Sequence, residues 1–267
     1  MDKKQVYFVG AGPGAADLIT VRGAKLIADA DVVIYAGSLV SPELLSYARE
    51  GAEIHNSAYM TLGEVLNVMK SAAADNKTVV RLHTGDPSLY GAVREQMDAL
   101  DELGITYESC PGVSAAFGAA AAMDLEYTLP GLSQSLVITR MAGRTAVPEK
   151  ESIESWAAHD ATMAIYLSTG MLEELSKRLI AGGYKADTPA AIIYKATWPD
   201  EEYYYCKVSD LAEIAAEHGI TKTALILVGD AIGRSGYEKS KLYDETFSTE
   251  FRKAKGKNED KDSLLYR

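Results

Sequence analysis

The stretch Val6-Tyr7-Phe8-Val9-Gly10-Ala11-Gly12-Pro13-Gly14 decides how the rest of the chain is read. Four β-forming apolar residues run straight into three glycines and a proline, the pattern of a buried strand ending in a tight loop. Residues 21–30 follow with apolar side chains at helical spacing, and Thr20 is a good N-cap for them. The alternation continues. Residues 32–35, 78–82 and 106–109 read as strands. Residues 62–74, 88–103 and the alanine-rich 115–123 read as helices, and the stretch 42–49 lies between. Strands alternating with helices of this length predict a parallel α/β sheet.

Residues 125–134 break that rhythm with Pro130-Gly131 and little periodicity, so they read as a linker. A second α/β set follows, with strands expected at 136–139, 163–167, 191–194, 203–207 and 225–228, and helices near 153–158, 172–181 and 211–218. The expected organisation is an N-terminal α/β domain (1–124), the linker, a C-terminal α/β domain (135–237) and a cleft between the two. Residues 238–267, rich in charge, are expected to form a mobile tail.

Composition excludes several classes. The 267 residues are 47% hydrophobic and 24% charged, a globular balance, and no apolar run is long enough for a membrane span. A formal charge of −11 argues against a nucleic-acid partner. Met1–Gln5 runs directly into the first strand, so no secretory leader is expected. The lone Cys110 and Cys206 fit a reducing cytoplasm. His55, His159 and His218 are scattered without metal-ligand spacing, so no bound metal is expected.

Three strand-end loops carry the chemistry. The first, Gly10 to Gly14, satisfies a permissive G-x-G-x-x-[GA] with Ala15 last, which suggests a flavin or nicotinamide dinucleotide. Two features argue against that reading. No carboxylate follows the second strand at Ala36-Gly37-Ser38, and the next helix starts ten residues after Gly10 rather than at the glycines. The crowding of glycines still favours a loop whose backbone closely approaches a ligand. The second loop is Thr84-Gly85-Asp86-Pro87-Ser88-Leu89-Tyr90-Gly91. Asp86 before Pro87 reads as a helix N-cap whose carboxylate is also free to accept ligand hydrogen bonds. Capping favours its ionised form and weakens it as a base. In the third loop, Cys110 to Ala115, Ser114 reads as an N-cap.

Together these loops resemble the tetrapyrrole methylase family. The correspondence runs in order through Val9-Gly10-Ala11-Gly12-Pro13-Gly14, Asp17-Leu18-Ile19-Thr20, Gly85-Asp86-Pro87 and Pro111-Gly112-Val113-Ser114-Ala115. It continues through Tyr166-Leu167-Ser168, Tyr194-Lys195-Ala196-Thr197-Trp198-Pro199-Asp200-Glu201 and Thr223-Ala224-Leu225-Ile226-Leu227-Val228-Gly229, so it spans roughly residues 5–234. The segments 33–40, 81–91 and 196–201 resemble most closely the branch that serves corrinoid biosynthesis.

The resemblance implies a homodimer of two α/β domains with S-adenosylmethionine (SAM) in the cleft between them, acting on a tetrapyrrole. Its implied SAM contacts are Pro13, Thr84, Gly85, Asp86, Leu89, Ser114, Ala115, Leu167, Ala196, Thr223 and Ala224. Thr84 stands where many relatives have glycine, and Leu167 where some have methionine.

No residue stands out as the proton acceptor; His83 and Asp86 are candidates by position alone. The substrate's carboxylates call for cations, and Arg81, Arg94, Arg140, Arg144 and Lys195 sit near expected strand ends or loops, with Arg140 and Arg144 favoured. Trp198 and the run Tyr203-Tyr204-Tyr205 offer rings to a flat macrocycle, although packing is the commoner role. The alternatives are a family member acting at another ring position, an oxidoreductase and a noncatalytic binding protein.

Overall fold

A computed structural model of the chain describes residues 4–254. Its first sheet contains β1 (Val6–Gly10), β2 (Val32–Tyr35), β3 (Glu53–Asn56), β4 (Val79–His83) and β5 (Tyr107–Cys110) in the order β3-β2-β4-β1-β5, with every pairing parallel. Alternation along these strands feeds two cores. Val6, Phe8, Val32, Ile34 and Val79 pack against α2 (Leu62–Ala74) and α3 (Arg94–Glu102). Val9, Val33, Val80 and Leu82 pack against α1 (Val21–Asp29) and the 3₁₀ turn Pro42–Tyr47. Thr20 caps α1 as expected, accepting the Gly23 amide at 3.0 Å. Thr61 and Glu64 cap α2 reciprocally.

The second sheet contains β6 (Leu136–Arg140), β7 (Thr162–Tyr166), β8 (Pro189–Tyr194), β9 (Glu202–Lys207) and β10 (Ala224–Val228), in the order β6-β7-β10-β8-β9. Only β6 and β7 pair in parallel; the other pairings are antiparallel. Three helices cover one face: α5 (Ile153–Ala157), α6 (Leu172–Gly182) and α7 (Leu211–Glu217).

The opposite face is covered by α4 (Ala115–Ala122). Ala116 and Ala119 of α4, with Met123 and Tyr127, pack on Ala164, Ala191, Leu225 and Leu227. The helix expected to complete the N-terminal domain therefore buries itself on the C-terminal sheet. The expected linker is also packed. Tyr127 is buried and gives its hydroxyl to the Ala116 carbonyl, and Ser133 accepts the Thr162 amide at 3.0 Å.

One further expectation needs correction. The helix expected at 88–103 begins only at Arg94, because Tyr90 and Ala92 take positive φ (56° and 48°) and break the preceding turn. Part of the charged tail carries local structure. Over the described part, Lys241–Tyr243 forms a 3₁₀ turn, and the Arg252 guanidinium donates to the carbonyls of Leu242, Asp244 and Phe247. The rest of the expected tail, 255–267, lies outside the described residues.

Candidate functional site

The carboxyl ends of β1, β4 and β5 face the carboxyl end of β7 and the loops flanking β8 and β10, with the N-terminus of α4 between them. Gly12 and Gly85 form an isolated bridge that ties the first and second loops together. The glycines there serve the protein's own packing. A Cβ on Gly10 would meet Gly112 Cα at 2.5 Å and the Gly85 carbonyl at 2.6 Å. One on Gly14 would meet Trp198 Nε1 at 2.7 Å and the Ala196 carbonyl at 2.8 Å. The close approach expected of a ligand is made instead by the third loop and by the segment after β8.

That segment locks the halves together. Trp198 donates its indole N–H to the Pro13 carbonyl at 3.2 Å, and Thr197 Oγ1 accepts the Ala15 amide at 3.0 Å. Pro13 is buried against α4, where a Cβ on Gly118 would meet its ring at 2.5 Å.

The residues implied as SAM contacts form a chain of neighbours around α4. Gly85 (φ +59°) lies beside the third loop; a Cβ there would sit 3.6 Å from Ser114 Cα and from the Ala115 amide nitrogen, ordinary contact rather than collision. Ser114 Oγ meets the Tyr166 hydroxyl at 2.7 Å, and Leu167 follows Tyr166 with 65% of its surface exposed. Thr169 donates to the Ala224 carbonyl at 3.1 Å, and the Lys195 amide donates to the Thr223 carbonyl at 3.0 Å, which seats Ala196 beside it. Leu89 closes the second loop with its amide on the Asp86 carbonyl at 3.2 Å. Thr84, the departure from the family pattern, turns its hydroxyl to the Leu39 carbonyl and so fastens the loop after β2.

Backbone strain collects in these same loops. Tyr90, Ala92, Leu167, Lys195, Thr197 and Thr223 all have positive φ. For β-branched Thr197 and Thr223 this is a genuine outlier. Each such residue costs on the order of 1–3 kcal/mol and persists only where surrounding contacts over-determine it.

Asp86 is not the cap of α3. Its Oδ1 accepts the Ser88 amide at 2.9 Å, closing a local turn, and its Oδ2 accepts the Gly112 amide at 2.9 Å, joining the second loop to the third. Burial pushes its pKa up, but the Ser88 hydroxyl and the Gly112 and Ser88 amides outweigh that and hold the carboxyl below the usual range. Ser114 occupies the N-cap position of α4, but its side chain makes no cap bond. The hydroxyl on the Ala116 amide is that of Tyr166, at 2.7 Å. Sequence reasoning quoted Tyr166 within a motif but gave it no role, because its partner lies fifty residues away.

The candidate bases and cations sort differently. His83 is 5% exposed, its Nε2 has no partner, and burial, aided by the charge of Arg81, pushes its pKa down to about 3. A neutral, buried imidazole of that basicity does not fit the role of proton acceptor. Arg81 is itself buried; it donates to the Ile34 and Leu82 carbonyls and to Gln96, and burial lowers its pKa to about 10. Its guanidinium is therefore spent inside the sheet. Arg94 pairs with Asp98 and Asp101, and Lys195 pairs with Asp200. Arg140 donates to the Met141, Thr145 and Ala146 carbonyls and so folds the loop after β6 around itself. Of these candidates only Arg144, on that loop, is exposed without a hydrogen-bond or ion-pair partner. Tyr203 and Tyr205 lie on edge strand β9 with rings edge-to-face at 6.2 Å, a packing arrangement within that strand.

Residues 5–212 fit the family model of tetrapyrrole (corrin/porphyrin) methylases. The chain is 50% identical over 253 residues to a cobalt-precorrin-4 C(11)-methyltransferase of Methanocaldococcus jannaschii, covering 95% of this chain and 98% of the relative. It is 46% identical to the enzyme of that name from Priestia megaterium, over 93% of this chain and 98% of the relative. A crystal structure of a cobalt precorrin-4 methyltransferase superimposes with a TM-score of 0.83 at 46% identity, covering 85% of this chain and 95% of that one. A uroporphyrin-III C-methyltransferase of Thermus thermophilus, solved with S-adenosylhomocysteine, gives a TM-score of 0.71 at 25% identity, covering 86% of this chain and all of the other. Among the described residues no helix is long and apolar enough to cross a membrane. The chain belongs to the tetrapyrrole (corrin/porphyrin) methylase family.

Proposed function

We propose that the chain is a SAM-dependent methyltransferase that methylates C11 of precorrin-4 or cobalt-precorrin-4 in corrinoid biosynthesis. The observation that carries the reading is 50% identity to a relative of that name, and it is supported by Gly85, Ser114 and Ala115 meeting at the N-terminus of α4, to which Tyr166, the residue before Leu167, also bonds.

The residues fit an adenosyl donor. Gly85 lies in ordinary contact range of the Ser114–Ala115 turn, Leu167 offers an exposed apolar side chain, and the Ala196 and Ala224 side chains are small. When bound, SAM supplies a methyl group on a positively charged sulfur, so transfer needs no nucleophile from the protein. Gly85, Asp86, Leu89, Ser114, Ala115, Leu167, Ala196, Thr223 and Ala224 hold the donor, and Thr84 and Pro13 fix the loops around it. The cleft aligns the donor with a ring carbon, and alignment of this kind is worth about 7–11 kcal/mol. Closure between two sheets also excludes water. Arg144, displayed by the loop that Arg140 folds, meets a substrate carboxylate. The enzyme works in the cytoplasm as a homodimer, a reading supported by its two unpaired cysteines and by exposed Phe117, Leu39 and Tyr59.

The test is incubation of the purified protein with SAM and precorrin-4, with and without cobalt in the ring. Mass spectrometry and NMR then locate the new methyl. A methyl at C11 supports the proposal; a methyl at another ring carbon, or none with either substrate, overturns it.

A further inference from the structure

We infer that Tyr166 is a positioning residue for methyl transfer, its hydroxyl setting the turn that opens α4 and its ring packing against the second loop. This rests on the reading of the cleft as a SAM site. Tyr166 ends β7 on the C-terminal sheet, yet its hydroxyl accepts the Ala116 amide at 2.7 Å and meets Ser114 Oγ at 2.7 Å, both in the turn that opens α4. An N-cap serine normally satisfies one of these first-turn amides itself. Here Ser114 does not, and a side chain fifty positions downstream does so in its place. The Ser114–Ala115 turn is thus set by the opposite sheet rather than by its own helix.

The ring of Tyr166 has a second partner. Tyr90, from the second loop, lies with its ring centroid 5.6 Å away at an interplanar angle of 51°. Tyr90 is 44% exposed and held at φ +56°, while Leu167, the next residue after Tyr166, is held at φ +52°. The Tyr166 ring therefore packs against one strained position, Tyr90, and its backbone leads directly into another, Leu167. Burial raises the Tyr166 pKa against the Ser114 and Ala116 hydrogen bonds, so the phenol stays neutral; its oxygen accepts from Ala116 and the hydroxyl shares a hydrogen bond with Ser114.

The test compares Y166F, which removes only the hydroxyl, with Y127F. Tyr127 gives its hydroxyl to the carbonyl of the same Ala116, but from the buried face of α4. SAM affinity is read by calorimetry, Tm by thermal unfolding, and kcat and KM with the tetrapyrrole substrate. For Y166F we expect SAM binding weakened roughly 5- to 30-fold, the effect of leaving one amide unpaired. Its kcat falls and its tetrapyrrole KM stays unchanged, because the ring remains under Tyr90. Y127F should lose Tm and keep its SAM affinity. Equal SAM affinity in wild type and Y166F, or equal losses in Y166F and Y127F, overturns the inference. If Y166F does not fold, amide hydrogen exchange in the wild-type protein decides. Ala116 must be protected before SAM is added, and free exchange there overturns the inference. Wild-type protein that binds no SAM while Ala116 stays protected refutes the cleft reading instead.

Discussion

Trp198 donates its indole N–H to the carbonyl of Pro13, 185 residues earlier, at 3.2 Å, and its ring lies where a side chain on Gly14 would have to go. The glycine loop is thus half of a latch, and the segment after β8 is the other half. Gly14→Ala forces the Trp198 ring and the Ala196 carbonyl outward, an overpacking that costs about 1–3 kcal/mol. The expected outcome is a lowered Tm and loss of most methyl transfer. Trp198→Phe removes the hydrogen bond without the clash and should cost less in both. Thermal unfolding and a single-turnover methyl-transfer assay check the order.

Asp86 joins two loops that share no other carboxylate. Removing it in Asp86→Ala leaves the Gly112 and Ser88 amides without their partner, at about 1–3 kcal/mol each where water does not replace it. SAM affinity should fall by about tenfold or more, measured by calorimetry on protein whose circular dichroism is unchanged.

His83 makes the fold acid-sensitive. Its folded pKa of about 3 lies below its ordinary value of 6.5, so the folded state holds the ring neutral while the unfolded state takes up a proton first. The stabilisation is complete above pH 6.5 and drains away as pH falls toward 3, at about 1.4 kcal/mol per unit. Urea unfolding at pH 7.0 and 5.5 should show that slope in the wild type. A His83→Asn variant that folds should show a flatter one, before carboxylate titration sets in.

The role proposed for Arg144 can be separated from the loop-folding contacts of Arg140. Arg144→Ala should raise the KM for the tetrapyrrole by roughly tenfold, the loss of one charge-assisted contact, and leave the SAM dissociation constant unchanged. Arg140→Ala releases three carbonyls and the loop they belong to, so it should raise KM further and also lower Tm. Steady-state kinetics at saturating SAM separates the two.

Local pattern made most elements legible. The 62–74 helix has its cap and its apolar stripe within its own sequence, and it forms over those residues. Thr20 capped α1 for the same reason. The errors came where partners are distant. Strand β3, Glu53–Asn56, went unread because its four residues are polar or half-exposed. The packing side of α4 was invisible because a helix of six alanines, one phenylalanine and one glycine has no polar face to orient it. In the site, the loops were found but their connections were not. Asp86 looked like a cap because Pro87 follows it, while the Gly112 amide that it accepts arrives from another loop. Arg81 and His83 carried the right chemistry at a strand end, and only their burial removes them from the cleft.

Placing β1 between β4 and β5 sets the order in which a ribosome can complete this protein. Strand β1, first of the five in chain order, is an interior strand of its sheet, and its partner Val79–His83 emerges some 70 residues later. At typical synthesis rates of 5–20 residues per second, Val-Tyr-Phe-Val stays without a neighbour for roughly 4–14 s. An apolar strand left bare for that long is a ready site for a holding chaperone on the nascent chain, whereas the antiparallel β8–β9 hairpin can close almost as soon as it is translated.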